Sequence, residues 1–289
     1  MRVIWVLENI KNNRNLNNYY IDSRLNVLLL LSSVQLWKRY HPEDKCVLYT
    51  DDKTISLFNK LKVLDFWDTI LPIPLTPRIN KDVFWASSKL QVLSTQTEPV
   101  IMMDNDTHVF TPLKNHLDLT KYYVCNLEIG KAYYPTSIDP LVSKLSYKNR
   151  WQTDSVNVSF LNLPNPTFTR EYAELSIKLM EEFTELKASN SQYLIFAEQL
   201  LLRHLFDKNN IDFSSIISTY WHCKQQSWTD DHNLGIWPID ESGRYFKHYG
   251  PLKGSILNNR DGENYEKEIN HLLNCIRFPN LNLSLIPNR

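Results

Sequence analysis

Asp104 and Asp106 stand one residue apart directly after the apolar run Val100 to Met103 in PVIMMDNDTHVF. Two carboxylates at the end of a buried strand raise each other's proton affinity unless a positive charge intervenes. A hard divalent ion answers that need, because Mg2+ or Mn2+ takes one or two carboxylates together with phosphate oxygens and water. The competing reading is a turn or a helix N-cap, for which acids after strands are commonly used. A second acidic strand end lies at Tyr49-Thr50-Asp51-Asp52, where Thr50 and Asp51 suit a nucleobase or ribose edge, or equally a solvated turn. Late in the chain FKHYGPLKG gathers His248, Gly250, Pro251 and Lys253. Neutral imidazole ligates Mn2+ well, and a lysine meets phosphate as a point charge.

The bulk of the sequence narrows the chemistry. With 32 basic and 32 acidic residues in 289, the formal net charge is zero. The broad basic footprint of a nonspecific nucleic-acid binder is therefore missing, so no nucleic-acid partner is expected. Six glycines form neither GxGxxG after the first strand nor GxxxxGK[ST]. Without those cradles a phosphate ligand needs another counter-charge, which a metal on Asp104 and Asp106 would supply. Cys46, Cys125, Cys223 and Cys275 are scattered without a CxxC pair, which predicts reduced, mostly buried thiols rather than zinc or disulfides. The apolar start MRVIWVL ends at Glu8 and reads as a strand, not a leader. The longest apolar run, LNVLLLL, falls far short of the ~20 residues a bilayer requires. A cytoplasmic protein is the expectation.

The elements that must hold these residues alternate. RVIWVL (2–7) predicts a strand, and apolar spacing predicts a helix over about 21–40. A strand over 45–52, a short helix over 54–63 and a proline-broken extended piece over 68–75 follow. A helix over 84–96, with Leu90 and Leu93 inward, leads into the strand PVIMMD. This order predicts an α/β sheet, parallel at least through the first half. Strands at 121–128 and 155–163 and helices at 168–186 and 191–209 come next. From Ile211 the chain reads as irregular and aromatic, carrying Tyr220, Trp221, Trp228 and Trp237. One domain is expected over 1–289, with parts over 1–110 and 111–254 and a tail over 255–289.

Taken together, these segments resemble the GT-A-fold glycosyltransferases that use nucleotide sugars, and most closely the retaining group that includes glycogenin and the bacterial lipopolysaccharide galactosyltransferases. VLYTDD is similar to that superfamily's early nucleotide-contacting strand, and KLQVLSTQTEPVIMMDNDTHVFTPL to its helix–strand–DxD core. SVNVSFLNLPN, FAEQLLLRHLF and KHYGPLKG resemble the later sugar-contacting strand, the catalytic helix start and the His-x-x-Gly-x-x-Lys element. Glu198 stands where those enzymes write Asp, and His248 to Gly250 is one residue shorter than the glycogenin-type spacing.

The resemblance implies a Rossmann-like, mainly parallel sheet flanked by helices with the DxD at a strand end. It implies Mn2+ or Mg2+ on Asp104, Asp106 and His248, a donor such as a UDP-sugar, and a glycan or glycoconjugate acceptor. Thr50, Asp51, Lys89, Asn105, Asn157, Gly250 and Lys253 would then contact the donor, with 1–110 the nucleotide-binding half and 111–254 the sugar and acceptor half. Tyr220, Trp221, Trp228 and Trp237 would stack an acceptor sugar or else pack as core. Glu198 and Gln199, with Asp154 as a competing carboxylate, would stand near the reacting carbon. The rival functions are a metal-dependent phosphoesterase or nuclease, and a protein that binds nucleotide sugars or carbohydrate without turnover. The first of these generally needs a second metal about 3.5–4 Å away, and the remaining histidines show no pairing for one.

Overall fold

The computed structural model describes residues 1–8, 21, 23–74, 78–81, 83–84, 86–130, 154–182, 195–237, 245–249, 256, 263–279 and 281–286. In chain order the elements are β1 (Arg2–Leu7), α1 (Arg24–Tyr40), β2 (Lys45–Thr50), α2 (Asp52–Leu61), β3 (Thr69–Pro72), α3 (Ser87–Ser94), β4 (Val100–Met103), β5 (Thr107–Val109) and β6 (Tyr122–Ile129). They continue as β7 (Ser155–Leu163), α4 (Pro166–Glu182), a π-turn (Phe196–Leu200) running into α5 (Leu201–Lys208), then β8 (Phe213–Ile217), β9 (Thr219–His222), β10 (Ser227–Asp231), β11 (Gly235–Trp237), β12 (Phe246–His248) and α6 (Glu263–Ile276). The architecture is mixed α/β with mainly parallel strand pairs and helices packed on the sheet. By contact the chain falls into two compact units: Met1–Pro74 with Pro99–Asp118 and Asp240–Arg289, and Leu75–Glu98 with Leu119–Ile239.

In the first unit β4, β1, β2 and β3 lie side by side and all parallel. The near-continuous apolar sequences of β4, β1 and β2 fit strands covered on both faces, while β3 at the sheet edge stays partly exposed. Val3, Ile4, Trp5, Val47, Leu48, Val100 and Ile101 are fully buried. Helix α1 starts at Ser23, whose hydroxyl accepts the Asn26 amide at 3.5 Å, and it ends with Lys38 and Arg39 at the negative end of its dipole. Leu25 and Leu28 to Leu31 are wholly buried along it, each contributing roughly 1.5–3 kcal/mol of apolar burial. Polar pins sit inside that packing. The Trp5 indole N–H donates to Ser33 Oγ at 2.9 Å, and Ser33 Oγ donates to the Thr107 carbonyl at 2.6 Å.

The second unit is built on β6, which pairs antiparallel with β7 and parallel with β8 and β9. Strand β10 adds antiparallel to β9, and β11 adds parallel to β8. Tyr122, Phe168, Phe206 and Phe213 stack and cross edge-on at centroid distances of 4.8–5.5 Å, joining β6, α4, α5 and β8. Helix α3 packs on α4, with Leu90 and Leu93 buried as their spacing predicts.

The segment after Ile211 differs from the irregular structure predicted for it. It carries β8 to β12 and, within the expected tail, the 14-residue helix α6. The strands are three to five residues long, too short to show two-residue alternation against their aromatic content. Helix α6 is different, because Tyr265, Ile269, Leu272 and Ile276 recur at helical spacing and are buried. The helix predicted from 191 is described from 195, and it opens as a π-turn rather than an α-turn. All four cysteines are free and buried as expected. Among the described residues no helix is long and apolar enough to cross a membrane.

Candidate functional site

The parallel register of the first unit puts its acids at one edge. Leu7 lies opposite Thr50, and Trp5 opposite Met103, so Asp51 and Asp104 both follow the carboxyl ends of adjacent-running strands. In open α/β sheets ligands collect outside that edge. Asp104-Asn105-Asp106 forms a tight turn between β4 and β5, closed by the Thr107 amide donating to the Asp104 carbonyl at 3.2 Å. Asn105 Nδ2 donates to the Val6 carbonyl at 3.2 Å and ties the turn to β1. Its Oδ1 is buried without a hydrogen-bond partner among the described residues, a costly state that a ligand donor would relieve.

His248 arrives from far along the chain. Strands β5 and β12 pair antiparallel, with His248 opposite Thr107, and the Tyr249 amide donates to the Asp106 carbonyl at 3.0 Å. Asp104, Asp106 and His248 thereby offer two carboxylate oxygens and an imidazole nitrogen within 4.8 Å of one another. His248 Nε2 and Asp106 Oδ1 are 3.7 Å apart, too long for a hydrogen bond. Ligands on one octahedral ion with bonds of roughly 2.1 Å stand about 3 Å apart when adjacent and about 4.2 Å apart when opposite. The 3.7 Å separation lies within that span and the donor set suits a divalent ion, so the three residues expected from sequence to share an ion are brought together.

Thr50 and Asp51 are already engaged locally. Thr50 Oγ1 donates to the Leu7 carbonyl at 2.6 Å, and Asp51 N-caps α2 by accepting the Thr54 amide at 3.0 Å. Gly250 and Lys253 lie outside the described residues.

In the second unit Lys89 of α3 meets Glu198 in a 2.6 Å ion pair, their side chains only 13% and 8% exposed. Glu198 and Gln199 both sit in the π-turn, a backbone form that recurs at functional positions. Widening the turn disturbs the regular carbonyl pattern, and the buried Tyr172 hydroxyl donates to the Glu198 carbonyl at 2.6 Å. Burial and the Glu198 charge push the Tyr172 phenol well above its usual range, so it stays a donor. Tyr172→Phe strands that carbonyl and is expected to lower stability by about 1–2 kcal/mol in denaturant titration. An unchanged midpoint would show the carbonyl hydrated instead.

Asn157, facing β6 from β7, donates to Glu128 Oε1 at 2.8 Å while its Oδ1 accepts the Ser159 amide at 3.0 Å. Burial pushes the Glu128 carboxyl up, the Asn157 hydrogen bond opposes this, and the Glu198 charge adds to it. The structure thus groups Lys89, Asn157 and Glu198 with a further acid, Glu128. The sequence signal for Glu128 is the one that exposes Asp104, an acid near the end of an apolar strand, KYYVCNLE. Asp154 takes its electrostatic surroundings from elsewhere: burial pushes its carboxyl up while Arg203 and His232 hold it down. Of the expected acceptor rings, Trp221 and Trp228 face each other across β9 and β10 at 5.2 Å, and Tyr220 lies 4.6 Å from His232.

No curated protein matches the sequence. Among solved structures the chain is similar to the glycosyltransferase GlyE of Streptococcus pneumoniae TIGR4, at 15% identity over 74% of this chain with a TM-score of 0.38. The match spans 44% of that longer protein. The galactosyltransferase LgtC, solved with donor and acceptor sugar analogues, is 11% identical over 68% of this chain and 70% of its own, at a TM-score of 0.41. The 4-diphosphocytidyl-2C-methyl-D-erythritol synthase of Anaerococcus prevotii DSM 20548 is 11% identical over 83% of this chain and 91% of its own, at 0.37. The family model described as "Family of unknown function (DUF6734)" matches residues 1–246, so the chain belongs to that family.

Proposed function

We propose that this protein is a metal-dependent glycosyltransferase that moves a sugar from a nucleotide-sugar donor, a UDP-sugar in the first instance, to a hydroxyl of a glycan or glycoconjugate. One observation carries the reading: Asp104, Asp106 and His248 converge at the carboxyl edge of a parallel sheet, within 4.8 Å of one another. The ordered run of sequence segments similar to GT-A enzymes supports it. A bound Mn2+ or Mg2+ would act as a Lewis acid for negative charge on a diphosphate leaving group. In this role Asp104 and Asp106 would supply carboxylate oxygens, and His248 an imidazole nitrogen held by β12.

The remaining assignments follow the same reading. Asn105 would give its buried Oδ1 to a donor hydroxyl, and Thr50 and Asp51 would border the nucleoside. Gly250 and Lys253 would meet the diphosphate. Lys89 holds the Glu198 carboxylate in a fixed position by charge, so that it would orient a sugar hydroxyl. Asn157 and Gln199 would add hydrogen bonds to the sugar, with Asp154 the alternative carboxylate. Retention of anomeric configuration is the outcome the resemblance implies, and NMR of the product anomer reads it directly.

Thermal shift against nucleotides with and without Mn2+ tests the donor class. Binding at a hundred times Kd stabilises by about 2.7 kcal/mol. UDP with Mn2+ is expected to raise the unfolding temperature by several degrees, and Mn2+ or UDP alone by less. Cleavage of a phosphodiester without any nucleotide sugar would favour the phosphoesterase instead. Binding without turnover of any donor would favour a non-catalytic protein.

A further inference from the structure

We infer that helix α6 holds the metal histidine in register, with Glu268 and Tyr249 as its positioning residues. This rests on the metal reading of Asp104, Asp106 and His248. Both the histidine and the helix lie beyond residue 246, where the family match ends.

The sheet that carries His248 is a two-stranded pair of three-residue strands, β5 with β12. An isolated ribbon of that size is at best marginal in water. Its order must come from what packs on it, and each strand is gripped from its own side. On β5, Ser33 Oγ of α1 donates to the Thr107 carbonyl at 2.6 Å. His108 is fully buried, its Nε2 3.0 Å from Ser32 Oγ and 3.1 Å from the Leu29 carbonyl. On β12 the grip comes from the residue beside the ligand. Adjacent residues of an extended chain point to opposite sides. Where His248 turns to Asp106, the neighbouring Tyr249 ring is wholly buried and meets His108 edge-on at 4.9 Å.

The hydroxyl of Tyr249 then donates to Glu268 Oε1 on α6 at 2.6 Å. Lys247 closes the arrangement, with Nζ 3.6 Å from the same Glu268 oxygen and 4.0 Å from the Tyr249 ring centroid. Helix α6 is itself fixed to α1, where Arg39 Nη2 donates to the Cys275 carbonyl at 2.7 Å. A path of direct contacts therefore runs from α1 through α6 and Glu268 to Tyr249. It ends at the Tyr249 amide on the Asp106 carbonyl, 3.0 Å away. A charged acceptor on a buried phenol fixes that ring more firmly than a neutral one would. Both the His248 side chain and the Asp106 backbone are within one residue of a Tyr249 bond. Loosening Tyr249 should therefore weaken metal binding without removing a ligand.

The test is Mn2+ affinity of the full chain, read by EPR of free Mn2+ well below the unfolding temperature. The proteins compared are the parent, Glu268→Leu, Glu268→Gln, Tyr249→Phe and Asp106→Ala. Glu268→Leu and Tyr249→Phe are expected to bind Mn2+ about tenfold more weakly. Glu268→Gln keeps an acceptor for the hydroxyl and should return to within about twofold of the parent. Asp106→Ala should lose binding altogether. Unchanged affinity in Glu268→Leu and Tyr249→Phe overturns the inference, as does Glu268→Gln binding as weakly as Glu268→Leu, which would place the effect in the Lys247 ion pair. Should Glu268→Leu fail to fold, Tyr249→Phe decides the matter alone. A parent that binds no Mn2+, or an Asp106→Ala that binds normally, overturns the metal site itself and is distinguished by those two samples.

Discussion

Asp106→Asn is expected to lower Mn2+-dependent turnover of the donor by about 10³-fold in kcat/KM while leaving the fold intact. The substitution keeps side-chain volume and removes one anionic oxygen from a set of three ligand atoms. The Asp106 carbonyl accepts the Tyr249 amide, and the exchange does not touch that backbone bond. What is lost is electrostatic. A site that stabilises leaving-group charge through an ion contributes several kcal/mol, and each 1.36 kcal/mol is tenfold in rate. Steady-state kinetics over a Mn2+ titration check this, beside the unfolding midpoint without metal. Activity within a few-fold of the parent at saturating donor would place the chemistry elsewhere.

Lys89→Met is the second large effect, and it acts on stability. Lys89 and Glu198 form a 2.6 Å pair with little solvent access, and removing one partner of such a pair costs about 3–5 kcal/mol. The Glu128 carboxyl adds to that cost, since Glu198 and Glu128 already oppose each other's ionisation. The pH dependence has a definite sign. A carboxyl whose folded-state proton affinity is raised contributes most below its unfolded value and loses that contribution as pH climbs through its folded value. Glu128 behaves this way in the parent, and in the variant Glu198 joins it. The stability gap between variant and parent should therefore be widest near pH 7 and narrow toward pH 5. Urea titrations at the two pH values check this. A gap independent of pH would mean that packing of the lysine stem, not its charge, is what the variant loses.

The contrast between Asp104 and Glu128 shows what the sequence could and could not reveal. Asp104 is legible because four apolar residues stop abruptly at a carboxylate, and one more acid two positions on makes the pair ask for a cation. Glu128 lies late in β6 behind Asn126 and Leu127, and a lone acid there has no second charge to mark it. Its importance comes from Asn157 on the neighbouring strand, which antiparallel register sets, and from Glu198 on a distant turn. The strand β1 and the helix α1 were readable because burial on every side enforces a long apolar pattern. The π-turn carries no residue signature in FAEQL and is visible only in the backbone.

Helix α6 lies within the stretch expected as a tail, yet Tyr265, Ile269, Leu272 and Ile276 keep helical spacing in the sequence. His248 entered the expected metal set through the resemblance of KHYGPLKG. What no local pattern could supply is the β5–β12 pairing that sets it opposite Thr107, because three-residue strands hold too few side chains to fix a register.

Crystals soaked with MnCl2 and UDP, measured at the manganese absorption edge, test the central claim most directly. The expected result is an anomalous peak bonded to Asp104, Asp106 and His248, with the diphosphate completing its coordination. Density for ordered UDP with no anomalous peak at those three side chains would contradict the account.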